Sequence, residues 1–65
     1  MQTDTETMAA LLAGTYYREQ GREIARREIL AGLKRPSPAV AGLMREFSPD
    51  FAAGYLDTWR AVMGA

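Results

Sequence analysis

Ser-Pro occurs twice, at Ser37-Pro38 and Ser48-Pro49, and an apolar run bearing alanine and glycine follows each pair. A serine at a helix N-cap accepts a hydrogen bond from an otherwise unpaired backbone N–H, and losing that bond costs about 1 kcal/mol. Proline suits the first helical position, where its missing N–H does no harm and its φ is already right. Each pair therefore predicts a helix start. After Ser37, the residues Val40, Leu43, Met44 and Phe47 recur at helical spacing; after Ser48, Phe51, Tyr55, Leu56, Trp59, Val62 and Met63 do the same. Both runs read as amphipathic helices. The first must stop near Phe47, because the residue before Pro49 is steered away from helical backbone angles. Asp50 falls in the first turn of the second, where a negative charge complements the helix dipole. Gly64 is a plausible end for it.

The other half predicts one long helix from about Asp4 to Leu33, with Thr3 or Asp4 placed to cap it and Gly32 and the Arg35-Pro36-Ser37-Pro38 segment ending it. Its alanine, leucine, glutamate and arginine favour helix, while Gly14 and Gly21 each weaken it by up to ~1 kcal/mol. At ~100° per residue, Gly14, Gly21, Ala25 and Gly32 share a band roughly 40° wide. A groove of small residues on one face would let another helix approach closely. A break at Gly14 or Gly21 would instead make a four-helix domain.

The preferred expectation is all-α: one long N-terminal helix packed against two shorter helices in a three-helix, hairpin-like bundle. It forms a single small domain over residues 1–65, frayed at 1–6. A helix of ~26 residues is ~39 Å long, and helices of ~10 and ~15 residues laid end to end reach ~38 Å. The duplicated Ser-Pro signal would thus make one return path from two pieces. Tyr17, Ile24, Val40, Leu43, Phe47, Phe51, Tyr55 and Trp59 are expected in or beside the core.

So small a chain buries only about 60% of its unfolded surface. It holds no cysteine to cross-link and no histidine, so a structural zinc lacks its usual ligands. Helix packing or assembly must supply the stability. The start, MQTDTETM, is acidic and polar, unlike a secretory signal. No apolar run approaches the ~20 residues of a membrane span. The expected location is cytoplasmic, away from membranes.

The chemistry offers little for catalysis. Without histidine or cysteine, acid–base work would fall to carboxylates, Lys34 or tyrosine, and no carboxylate pair stands out. Gly21-Arg22-Glu23-Ile24-Ala25-Arg26-Arg27-Glu28 lacks the ending of a phosphate loop. Ser37 and Ser48 read as caps. The expectation is a protein that is not an enzyme and has no cofactor and no metal.

Contact surfaces are better represented. Met8, Leu12 and Tyr16 fall at i, i+4, i+8. If the glycine band faces inward, they form an outward apolar patch of the kind that marks association. Arg18, Arg22 and Arg26 form a second row at the same spacing, which Lys34 and Arg35 extend. Between Arg18 and Arg35 there are six basic residues against three acids, although the whole chain has net charge zero. Tyr55 and Trp59 are further anchor candidates, since aromatics and arginine dominate interface hot spots, but both also belong to the expected core. A helix-turn-helix reading is disfavoured, because the start of its recognition helix, Ser48-Pro49-Asp50-Phe51, is acidic where phosphates would lie.

The tail GYLDTWRAVM (54–63) and the stretch GREIARREILAG (21–32) resemble segments of ribosome modulation factors, which are small helical proteins that bind ribosomes. The resemblance implies an RNA-associated role. This chain has Arg35-Pro36-Ser37-Pro38 where that family has an Asn/Cys-Pro-Tyr turn, and it is less basic. The favoured expectation is therefore a small non-catalytic protein-interaction module. It would be an adaptor or inhibitor of a larger protein, of the sort phages and mobile elements encode, or would pair with itself. Its surface would be Met8, Leu12, Tyr16, Arg18, Arg22, Arg26, Tyr55 and Trp59. The alternative is an RNA- or ribosome-associated modulator that binds phosphates through the basic strip from Arg18 to Arg35, and nucleic acid is thus the second-choice partner.

Overall fold

The computed structural model describes the backbone of residues 2–64 and the side chains of residues 7–64. Three helices make up the described chain: α1 over Gln2–Leu30, α2 over Pro38–Phe47 and α3 over Pro49–Val62. The all-α three-helix bundle is as expected, and α1 is unbroken through Gly14 and Gly21. The expected start at about Asp4 is corrected to Gln2, so Thr3 and Asp4 lie inside α1 and do not cap it; the side chains of residues 1–6, where fraying is expected, lie outside the described residues. The expected end at Leu33 is corrected to Leu30. Gly32 adopts φ 96°, a left-handed conformation that glycine enters without steric cost. Gly32 N–H then bonds the Ile29 carbonyl at 3.1 Å and Leu33 N–H bonds that of Glu28 at 3.1 Å. This is the Schellman pattern, which pairs the last carbonyls of a helix.

The Ser-Pro starts are correct to the residue, but the two serines act differently. Ser37 is the N-cap of α2, and its side chain accepts a bond from Val40 N–H at 3.3 Å. Ser48 holds the N-cap position of α3 without a side-chain cap bond. Its backbone N–H instead closes α2 by donating to the Met44 carbonyl at 2.7 Å. One residue thus ends α2 and begins α3.

The end-to-end return path is corrected. Along α1, Gly14 lies by Asp50, Arg18 by Gly54 and Glu28 by Trp59. Both numbers rise together, so α3 runs parallel to α1. Helix α2 is the return leg: Ser37, at its start, meets Tyr55, and Phe47, at its end, meets Tyr17. The chain reverses at Ser48 rather than bending there. Helix α3 therefore lies along α1 from Gly14 to Glu28, and α2 packs back on α3. Residues 7–13 of α1 are all exposed, in a molecule measuring 47 × 20 × 19 Å.

Small residues bring α1 and α3 together. A Cβ added at Gly21 would collide with the Phe51 carbonyl oxygen and come within 2.8 Å of Tyr55 N. Ala25 is fully buried on the same face. The glycine groove is therefore real over Gly14, Gly21 and Ala25, while Gly32 lies past the helix end. The core consists of Ala25, Ala41, Met44, Ala52, Tyr55 and Trp59, with Ile24, Ile29, Val40, Phe51 and Leu56 packed around it. Tyr55 and Trp59 are the large buried side chains. Burying an aromatic of ~150–250 Å² stabilises by up to roughly 4–6 kcal/mol on area bookkeeping.

Two expected core residues are corrected. Leu43 is 68% and Phe47 66% exposed. Helix α2 turns its narrow Val40, Ala41 and Met44 edge inward, because alanine permits close approach to α3.

Candidate functional site: an apolar belt and a paired arginine row

Met8, Leu12 and Tyr16 stand on the side of α1 opposite the glycine face, and each is 59–66% exposed. The side of α1 that meets α3 is set by Gly21 and Ala25, about half a turn away at ~100° per residue. The patch does not end at Tyr16. The Tyr16 ring meets Tyr17 edge-on at 5.5 Å, and Tyr17 meets Phe47 edge-on at 5.3 Å. Phe47 also meets Phe51 at 6.0 Å. Edge-to-face pairs of this kind are worth about 0.5–1.5 kcal/mol each beyond burial, so the rings hold one another in place. Leu43, one turn before Phe47, continues the apolar ridge along the outside of α2. The belt thus runs Met8, Leu12, Tyr16, Phe47, Leu43 across two helices.

Sequence reasoning found the α1 half of this belt and missed the α2 half, having assigned Leu43 and Phe47 to the core. One signal was available: the apolar residues of α2 span too wide an arc for one narrow helix contact. Leu11 is also exposed, beside Ala10, Gly14 and Asp50.

The three arginines expected to meet phosphate or an acidic partner are each engaged with a carboxylate. Arg18 pairs with Asp50 at 3.0 Å, Arg22 with Glu19 at 3.1 Å and Arg26 with Glu23 at 3.2 Å. The Arg18 pair joins α1 to the first turn of α3, while the other two lie along α1. All these side chains are about half exposed, where such pairs contribute ~0–1 kcal/mol. Their main consequence is electrostatic: each positive charge has a negative neighbour, which flattens the field a phosphate backbone would follow.

Tyr55 and Trp59 are corrected as surface anchors: they are 0% and 2% exposed. Both donate to one oxygen of Glu28, Trp59 through Nε1 at 3.1 Å and Tyr55 through its hydroxyl. The same Tyr55 hydroxyl accepts from Ser37 N–H at 2.9 Å. One half-buried carboxylate thus links α1 to α3, and Tyr55 passes the link to the start of α2. Burial, followed by the bond to the Glu28 carboxylate, raises the Tyr55 pKa above its ordinary 10.0. In the sequence Glu28 is only one of the three acids within the basic strip. Its place in the last turn of α1, level with Trp59, carries no signature without the fold.

Among the described residues, no group of three or more histidine, cysteine or acidic side chains is placed to hold a metal. No described helix is long and apolar enough to cross a membrane. An open depression lined by Pro36, Leu56, Trp59, Arg60 and Met63 lies at the C-terminal end, without a convergent set of polar groups.

Comparison with protein-family models, with curated proteins and with solved structures finds no match to this chain. The resemblance of residues 21–32 and 54–63 to ribosome modulation factors is thus without a family match to extend it.

Proposed function

We propose that this chain is a small non-catalytic interaction module that docks its apolar belt onto protein. The observation that carries this reading is the exposed ridge of Met8, Leu12, Tyr16, Phe47 and Leu43, beside only six buried apolar side chains among the described residues. Large contiguous apolar surface on a small soluble chain marks an association site. An adaptor or inhibitor of a larger protein, of the kind phages and mobile elements encode, fits the size and the chemistry. A cytoplasmic setting fits the lack of cysteine.

The alternative, phosphate binding through the basic strip from Arg18 to Arg35 with Lys34, draws less support because Arg18, Arg22 and Arg26 each face a carboxylate. Two variants separate the readings. Leu12→Glu with Tyr16→Glu should abolish capture of protein by the tagged chain, with capture unchanged by nuclease. Arg18→Ala with Arg22→Ala and Arg26→Ala should leave capture intact. Loss of capture in the arginine variant, or on nuclease treatment, would establish the phosphate reading instead, as would a steep fall with salt.

A further inference from the structure

We infer that α2 is a strap that releases from α3 as a unit while α1 and α3 stay joined, and that the Tyr55 hydroxyl is its latch. The strap is independent of what the belt docks. The ties that close α1 on α3 are made without α2. They are the backbone contacts at Gly21 and Gly54, the Arg18–Asp50 pair at 3.0 Å and the Trp59–Glu28 bond at 3.1 Å.

Helix α2 is seated more lightly. It buries an alanine and a methionine, Ala41 and Met44, whereas α3 buries both large aromatics. It packs on α3 and barely on α1, where Phe47 meets Tyr17. Among the described residues α2 makes no ion pair. One hydrogen bond ties its N-terminal end to the rest of the bundle: Ser37 N–H donates to the Tyr55 hydroxyl at 2.9 Å, and Glu28 holds that hydroxyl in place. At the other end Ser48, in extended conformation at φ −162° and ψ 127°, is the single residue between α2 and α3 and forms the hinge.

A helix of ten residues is too short to persist alone in water, so α2 unfolds when it is released. Folded chains open in cooperative units, some at far lower free energy than global unfolding. Opening takes Ala41 and Met44 out of the core and adds them to Leu43 and Phe47, which are exposed already. The whole apolar set of α2 is then accessible at once, while Gly21 and Gly54 keep α1 on α3.

Hydrogen exchange of the native chain in low urea reads the strap directly. The amides of Leu43 and Met44 should exchange at least about tenfold faster than those of Ala25 and Tyr55, with a shallower urea dependence, because the opening exposes less surface than global unfolding does. Tyr55→Phe removes the latch and should speed Leu43 and Met44 at least about fivefold. Gly54→Ala strains the α1–α3 contact and should speed Ala25 and Tyr55 more than Leu43 and Met44. Equal rates and equal urea slopes in the wild type would mean one cooperative unit and would overturn the strap. So would equal acceleration of the two groups in Gly54→Ala. Unchanged exchange at Leu43 and Met44 in Tyr55→Phe would overturn the latch.

Discussion

Gly54 of α3 rests on the backbone of Arg18 in α1: a methyl group at position 54 would collide with the Arg18 carbonyl oxygen and lie 2.8 Å from its carbon. The obstacle is main chain, so no rotamer change relieves it. Gly21 makes the reciprocal contact with Phe51 and Tyr55. The two glycines set the closest approach of the helices and so determine which face of α1 is left outside.

Gly54→Ala should therefore destabilise by about 2 kcal/mol or more through overpacking, in spite of the ~1 kcal/mol that alanine gains over glycine in helix propensity. Gly42→Ala is the control. A Cβ there meets nothing within 4 Å, so that variant should gain up to ~1 kcal/mol. Urea unfolding of the two proteins reads both signs. Equal gains at 42 and 54 would mean the helices sit further apart than described.

The two serines should part company. Ser37→Ala removes the bond from Val40 N–H and should cost about 1 kcal/mol. Ser48 makes no side-chain cap bond, so Ser48→Ala should cost only a few tenths of that figure. Thermal melting decides the order, and a larger loss at Ser48 would contradict the assignment.

Tyr55→Phe leaves Ser37 N–H without its acceptor and takes one donor from Glu28. Unmade buried hydrogen bonds cost about 1–3 kcal/mol, and the melting temperature should fall accordingly. Trp59 should retain its fluorescence as a buried indole, because its own bond to Glu28 is separate.

Tyr55 also sets an alkaline limit. Its pKa is higher in the folded chain than the ordinary 10.0, because burial and the Glu28 carboxylate disfavour the phenolate. The folded state then holds the proton more tightly than the unfolded state. The associated stability is fully present below pH 10 and is lost as pH rises through the raised folded value. Melting temperature should fall above pH 10 in the wild type, and fall less over that window in Tyr55→Phe. Parallel curves would remove Tyr55 as the cause.

Much of this architecture is legible in the chain. The Ser-Pro pairs mark both short helices, and the shared face of Gly14, Gly21 and Ala25 announces a close helix contact. The direction of α3 is not legible, because helix lengths alone permit an end-to-end path as well as a reversal. What decides it is Gly54, whose partner is a backbone carbonyl that no side-chain pattern reports. The belt was half legible for the same reason. Periodicity places Met8, Leu12 and Tyr16 on one face, but only the rotation of α2 onto Ala41 and Met44 puts Leu43 and Phe47 outside. Tyr55 and Trp59 suit an interface by composition and go inside because Glu28 satisfies both of their polar ends.

The most direct measurement is site-specific photo-cross-linking in the cell, with a photoreactive side chain at position 12 in one protein and at position 22 in another. The account predicts protein adducts from position 12 and few from position 22. Nucleic-acid adducts from position 22, with none of any kind from position 12, would contradict it and make the arginine row the working surface.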